Sequence, residues 1–297
     1  MSDFIVNTLN VNEKVNKVHE DAENITLMRL TLLLLKTNDL MIKVAIAHEI
    51  HKKWNDNSLP IGLCIDKIEI PDEPSRPISF SSAELELKKN ELIKMKSRKE
   101  MNLCQMMHGI CHAESYAIDL FADLICRFGG EECKLPNLFY DDFVEVLEQE
   151  ARHFCVWKER LDYLNCPYGS LNTHNGLWKA AYESKNDILD RLAVVNMVHE
   201  ARGLDTYDAS KKKLVTWDPD SVKILDCNFS EEIEHVRKGC TWFNRICDIR
   251  KCEAKQVFQD IVTKFFPLPL KGPFNYDART KAGFARDWYE FTVSDCV

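Results

Sequence analysis

Apolar residues recur at three- and four-residue intervals along most of the chain, the period of amphipathic helices. The pattern predicts helix over residues 12–55 in two segments that break near Asn38 and Asp39. Pro60, Pro71, Pro74 and Pro77 then make 58–80 an extended surface connection. Four longer helices follow at about 85–128, 137–165, 175–203 and 218–249. A further helix near 252–266 leads into a tail from Pro267 to Pro273. The expected fold is all-α: a four-helix bundle over 81–290, preceded by a helical appendage and proline-rich connection over 1–80, with a C-terminal helix at the end. The most apolar stretch, Leu27 to Leu35, is interrupted by Arg29 and stopped by Lys36. It is too short to span a bilayer and reads as a buried helix.

Four glutamates interrupt the apolar stripes of the bundle helices. Glu114 shares its face with Met107, Cys111, Ala117, Ile118 and Phe121, and Glu150 with Phe143, Val146, Leu147, Phe154 and Trp157. Glu200 shares a face with Leu189, Leu192, Ala193, Met197 and Leu204. Glu232 falls among Leu225, Phe229, Val236, Gly239, Trp242 and Phe243. A carboxylate placed in a core without a counter-charge is costly, so four of them call for a cation. Two of the four also open a Glu-x-x-His step, Glu150 to His153 and Glu232 to His235, and none of the other seven of the nine histidines does. Residues three apart lie on one helix face and can reach the same ion. Two single glutamates and two Glu-x-x-His steps make up the ligand set of a dinuclear centre in a four-helix bundle. Carboxylates with one imidazole per ion suit iron or manganese. The six expected metal ligands are therefore Glu114, Glu150, His153, Glu200, Glu232 and His235, with Glu231, four residues before His235, as an alternative to Glu232.

The spacing is consistent with this set. The midpoint of Glu114 and Glu150 falls at residue 132, inside the turn-like stretch 129–137, which would put the two acids at equal height on an antiparallel pair. The midpoint of Glu200 and Glu232 falls at 216, inside the polar stretch 203–220. Pro167, Gly169 and Gly176 between His153 and Glu200 would serve a long crossover between the two hairpins.

Several tempting residues read as structural. His108 and His112 have a zinc-compatible spacing, yet His112 lies two residues from Glu114 and on another face. His48 and His51 are read as surface, His199 cannot share the face of Glu200, and Trp157 is read as core packing. His174, Asn175 and Trp178 fall in the crossover, where either closing the bundle end or touching substrate is open to them.

Composition narrows the class. The 297 residues, 45% hydrophobic with only 10 glycines, can bury a large helical core. A net charge of −8 argues against a general nucleic-acid surface, and the local run Lys88, Lys89, Lys94, Lys96, Arg98 and Lys99 reads as a solvated helix face. Twelve cysteines without any Cys-x-x-Cys, and no signal peptide, point to a reducing cytoplasmic compartment. Cys296 stands one position too late for a prenylation box, so no lipid anchor is expected.

The stretches His112-Ala113-Glu114, Glu150-Ala151-Arg152-His153-Phe154, Tyr168-Gly169, His174-Asn175-Gly176-Leu177-Trp178, Arg191-Leu192-Ala193-Val194-Val195, Glu200-Ala201-Arg202-Gly203-Leu204-Asp205, Glu232-x-x-His235-Val236 and Gly272-Pro273-Phe274-Asn275 resemble an uncharacterised ferritin-like family. That family is known mainly from bacteria as a domain of unknown function, and the resemblance covers about residues 43–283. It implies a ferritin-like bundle holding two iron ions, or manganese, on the six ligands, with di-iron tRNA hydroxylases among its chemical relatives. It implies no known substrate.

The functional expectation is a di-iron oxidoreductase that activates dioxygen to oxidise or hydroxylate a small substrate, with an electron donor and no membrane partner. A tRNA substrate rests on analogy alone, and the acidic balance speaks against nucleic acid. An iron-binding protein or ferroxidase, and a metal-free helical interaction protein, are the alternatives from other classes.

Overall fold

The computed structural model describes residues 25–77, 86, 89–92, 94 and 96–291. Among these every regular element is helical. The chain divides into two compact units, Met1–Ala83 with Cys111–Cys155, and Glu84–Ile110 with Val156–Val297.

In the first unit, α1 (Leu27–Lys36) and α2 (Leu40–Asn55) form where the pattern places them. Thr26 caps α1, accepting from Arg29 N, and Asp39 caps α2, accepting from Met41 N at 2.8 Å and Ile42 N at 3.2 Å. That second cap is why the helix breaks at this point. The expected helical residues 12–24 lie outside the described residues. The described part of the proline-rich connection, 58–77, is held at several points. Leu27 N and Met28 N donate to Pro60 O and Ile61 O, Ser75 N donates to Leu35 O, and Ile65 and Ile70 are buried. Its last anchor among the described residues is Arg76, whose guanidinium donates to Ser115 O (2.8 Å), Ser115 Oγ (2.7 Å) and Asp119 Oδ2 (2.7 Å) and lies 4.0 Å from the Tyr116 ring. Lys43 from α2 donates to the other oxygen of Asp119, and both side chains are fully buried. Burial pushes the Lys43 pKa down, against the pull of Asp119.

The helix expected over 85–128 restarts at α3 (Arg98–Phe128). Ser97 and Glu100 form a reciprocal cap, Ser97 N donating to Glu100 Oε2 at 2.7 Å and Glu100 N to Ser97 Oγ at 3.3 Å. Lys88 lies outside the described residues. Lys96 of the basic run is not simply solvated, since it donates to Leu164 O at 2.7 Å. α3 and α4 (Asn137–Tyr163) run antiparallel. Phe121 stacks with Phe143 at 6.1 Å, and Cys111 Sγ donates to Phe154 O at 3.9 Å.

In the second unit the expectation of helix over 175–203 is corrected. A short α5 (Gly176–Glu183) ends, and α6 starts afresh at Ile188 under an Asp187 cap that accepts from Leu189 N at 2.7 Å. It runs through Ile188–Arg191, a π-helical Leu192–His199 and Glu200–Trp217. The polar stretch 203–220 is mostly helix rather than turn. The chain reverses at Asp218, and α7 (Pro219–Arg250) begins with proline at its first position, where no amide hydrogen is needed. Tyr207 stacks on Phe229 at 3.6 Å between the two antiparallel helices, and Lys211 reaches Asp226 at 2.9 Å. α8 (Ala254–Phe265) forms as expected, and two short helices the pattern did not show, α9 (Tyr276–Lys281) and α10 (Arg286–Tyr289), follow the proline-rich tail.

Gly239 on α7 lets the α6 backbone approach. A Cβ there would stand 2.6 Å from Asn196 O. Gly239→Ala should therefore lower stability by about 1–3 kcal/mol despite the better helix propensity of alanine. In α3 Gly109 has nothing within 4 Å of such a Cβ, so Gly109→Ala should raise stability by about 0.5–1 kcal/mol. Urea denaturation of the two variants checks both signs.

Candidate metal-binding residues

Every residue named as sharing a face with the four glutamates is buried, apart from the half-buried Phe229. The acids do sit in core stripes. Glu150 is 1% exposed and Glu114 9%, while His153 and His235 are fully buried. Glu200 and Glu232 are half-buried.

Each unit brings together three of the predicted ligands. In the first, α3 supplies Glu114 and α4 supplies Glu150 and His153, with one donor atom from each within 4.8 Å of the others. His153 Nδ1 lies 3.6 Å from Glu114 Oε2 and 3.7 Å from Glu150 Oε2. In the second, α6 supplies Glu200 and α7 supplies Glu232 and His235, again within 4.8 Å. His235 Nδ1 lies 3.5 Å from Glu232 Oε2, so the Glu232 carboxylate is placed on the histidine face. These separations exceed a hydrogen bond. They are close to the ligand-to-ligand spacing around one cation, since ligands at about 2.1 Å stand roughly 3.0 Å apart at an octahedral edge and 3.4 Å at a tetrahedral one. In both trios the same ring nitrogen faces the carboxylates. Glu/His clusters able to hold a metal ion are thus present, and a hard, carboxylate-rich donor set fits iron, manganese or another oxygen-preferring divalent ion.

The surroundings contain features that sequence reasoning missed. The π-helical turn Leu192–His199 ends at Glu200, a position where such turns are often functional. Its composition, mostly apolar with Asn196 and His199, gives no sign of it. Gly203, read from the sequence as a helix end, lies inside α6, and a Cβ there would come no closer than 4.0 Å to anything, its nearest neighbour being Glu232 Oε2. Arg76 grips Ser115, the residue after Glu114. Its only sequence signal was a charge stranded among prolines.

The residues read as structural fall as follows. His108 Nε2 accepts from Gly169 N at 2.9 Å and stacks on Tyr168, and His112 meets Tyr116 edge-on. Half-buried His48 lies 3.3 Å from Glu148, and His51 pairs with Asn55. His199 turns to Phe266, and burial drives its pKa down to about 4, helped by Arg202. Fully buried Trp157 stands 3.0 Å from the Asn228 side chain, which can accept from its indole N–H. His174 Nδ1 accepts from Gly176 N at 3.2 Å, and Trp178 is buried.

The protein is all-helical among the described residues, carries Glu/His clusters fit for a metal ion, and has no described helix long and apolar enough to cross a membrane. The chain belongs to the family described as "Protein of unknown function (DUF455)", whose model matches residues 36–290. An uncharacterized protein of Haemophilus influenzae is 32% identical over 263 residues, which cover 86% of this chain and 90% of the relative. No solved structure matches the chain.

Proposed function

We propose that the two trios are the halves of one dinuclear centre, and that the protein is a ferritin-like di-iron oxidoreductase acting with dioxygen on a small organic substrate. The observation that carries this reading is the pair of buried histidines whose Nδ1 atoms face carboxylates at 3.5–3.7 Å in both units. Three donors are too few for an iron ion that prefers five or six. Four glutamates and two imidazoles are the complement a bundle uses for two ions.

Bound iron would supply the redox chemistry toward dioxygen. The chain's own residues define the rest. His153 and His235 would each fix one ion. Glu150 is almost wholly buried, and Asp119, Arg76 and Ser115 hold the turn of α3 that carries Glu114. Glu200 and Glu232 are the more open acids, and Gly203 places no side chain beside Glu232. A small substrate would enter on that side. The net charge of −8 disfavours a polyanionic substrate.

Anaerobic titration with ferrous ion tests the reading. Saturation at about two ions per chain is expected, followed on aeration by oxygen uptake that stops once the bound iron is oxidised. Continued oxidation of many equivalents of added iron would instead mark a ferroxidase. Absence of tight iron or manganese binding would leave a metal-free helical interaction protein.

A further inference from the structure

The proline-rich connection brings Cys64 against Cys133, 69 residues later in the chain, with 3.4 Å between the two sulfurs. Both residues are exposed. The approach is specified from both sides. Cys64 N donates to Glu132 Oε2 at 2.7 Å, and Glu131 N donates to Gly62 O at 3.0 Å. Gly130 adopts φ +115°, and a Cβ on it would lie 2.5 Å from Cys64 Sγ and 2.7 Å from Cys64 Cα. Only glycine at 130 allows the two segments to meet so closely. Two further thiol pairs lie in contact, Cys104 with Cys166 and Cys247 with Cys252, but Cys104, Cys166 and Cys247 are buried, so Cys64 and Cys133 are the pair with both members exposed.

We propose that Cys64 and Cys133 are a modification site, a dithiol that a peroxide-class oxidant converts reversibly to a disulfide. The sulfurs need to close by little more than an ångström, within the range of side-chain rotation. Cys133 is the first to react. Its sulfur attacks hydrogen peroxide, breaking the O–O bond and giving Cys133 sulfenic acid and one water. Cys64 then attacks that sulfur, the S–O bond breaks, and the leaving hydroxide takes up the Cys64 proton as a second water. Two thiols are oxidised by two electrons and one peroxide is reduced. The order follows from the surroundings of Cys64, whose pKa is pushed up to about 12 by desolvation and by hydrogen bonding to Glu132 and Cys133, leaving it almost no thiolate of its own. Glu132, hydrogen bonded to Cys64, is placed to relay that proton to the leaving hydroxide as Cys64 attacks. The bridge would fasten the connection to the turn between α3 and α4, and so restrain the strap that ends in Arg76. This inference does not depend on the metal reading.

The test treats the full-length protein as purified with about one equivalent of hydrogen peroxide, quenches with catalase, and maps peptides without reduction. The expected result is a Cys64–Cys133 linked peptide with a mass loss of about 2 Da. A rise in Tm of about 4 °C or more should accompany it, and dithiothreitol should reverse both. Cys133→Ser should abolish link and shift, whereas Cys252→Ser should keep both. Peroxide that leaves Cys133 as an unlinked sulfinic acid, or that links a different pair, overturns the proposal. The wild-type map decides the matter even where a variant folds poorly.

Discussion

A Glu150→Ala, His235→Ala double variant should lose essentially all of the roughly two metal ions per chain expected of the wild type, read by elemental mass spectrometry on freshly purified protein. Each trio loses one of its three donors, and the remaining pair cannot outcompete water and buffer for a divalent ion. The fold should survive. Glu150 is 1% exposed, so without a cation it is a buried acid, and alanine relieves that cost. Heating with and without a chelator separates the two effects. Metal at a hundred times its Kd stabilises the wild type by about 2.7 kcal/mol, so chelation should lower its Tm and leave the variant unmoved. Equal metal content in both proteins would sink the assignment of these residues as ligands.

Arg279→Ala should cost about 3–5 kcal/mol, the largest stability effect expected of a residue outside the metal-binding set. Arg279 is 1% exposed and grips Asp205 through Nε at 2.8 Å and Nη2 at 2.7 Å. Its guanidinium carbon lies 4.3 Å from the Tyr289 ring, 4.8 Å from Phe274 and 5.3 Å from Phe284. Truncation empties an aromatic box and strands a carboxylate that is 3% exposed, left with only Asn275 N at 2.9 Å and Arg202 at 3.2 Å. The companion variant Asp205→Leu, Arg279→Met should recover part of the loss, because removing both charges leaves neither buried alone. Denaturant midpoints measure all three proteins. A loss below about 1 kcal/mol in Arg279→Ala would show that solvent reaches Asp205 readily.

Periodicity made much of the helical fold legible. It located α4, α7 and α8 within a few residues, and the break at Asn38 and Asp39 follows from an aspartate that caps. The third bundle helix was misplaced because Gly203 and the polar residues after it look like a turn. A glycine inside a helix costs only about 1 kcal/mol, and packing overrides that. The Ser97-x-x-Glu100 cap was visible as letters but hidden inside a longer helical pattern. The short helices α9 and α10 depend on Arg279 and its aromatic neighbours, contacts that no local period announces. The trios were legible because acids interrupted apolar stripes, a signal that survives errors in helix boundaries. Their supports, Arg76 and the π-helical turn, were not, since they arise from tertiary approach.

That π-helical turn has a consequence for the phase of the helix it interrupts. Hydrogen bonds that reach back five residues instead of four accommodate one residue more than an α-turn, and one residue corresponds to about 100° of rotation. Upstream of Leu192–His199, Arg191 donates to Ala181 O at 2.8 Å, and downstream Glu200 joins His235 and Glu232. The extra residue sets the angular offset between these two ends like a vernier. Deleting a single residue anywhere in 192–199 would restore a regular helix while swinging Arg191 and Glu200 out of mutual register, although neither had been touched.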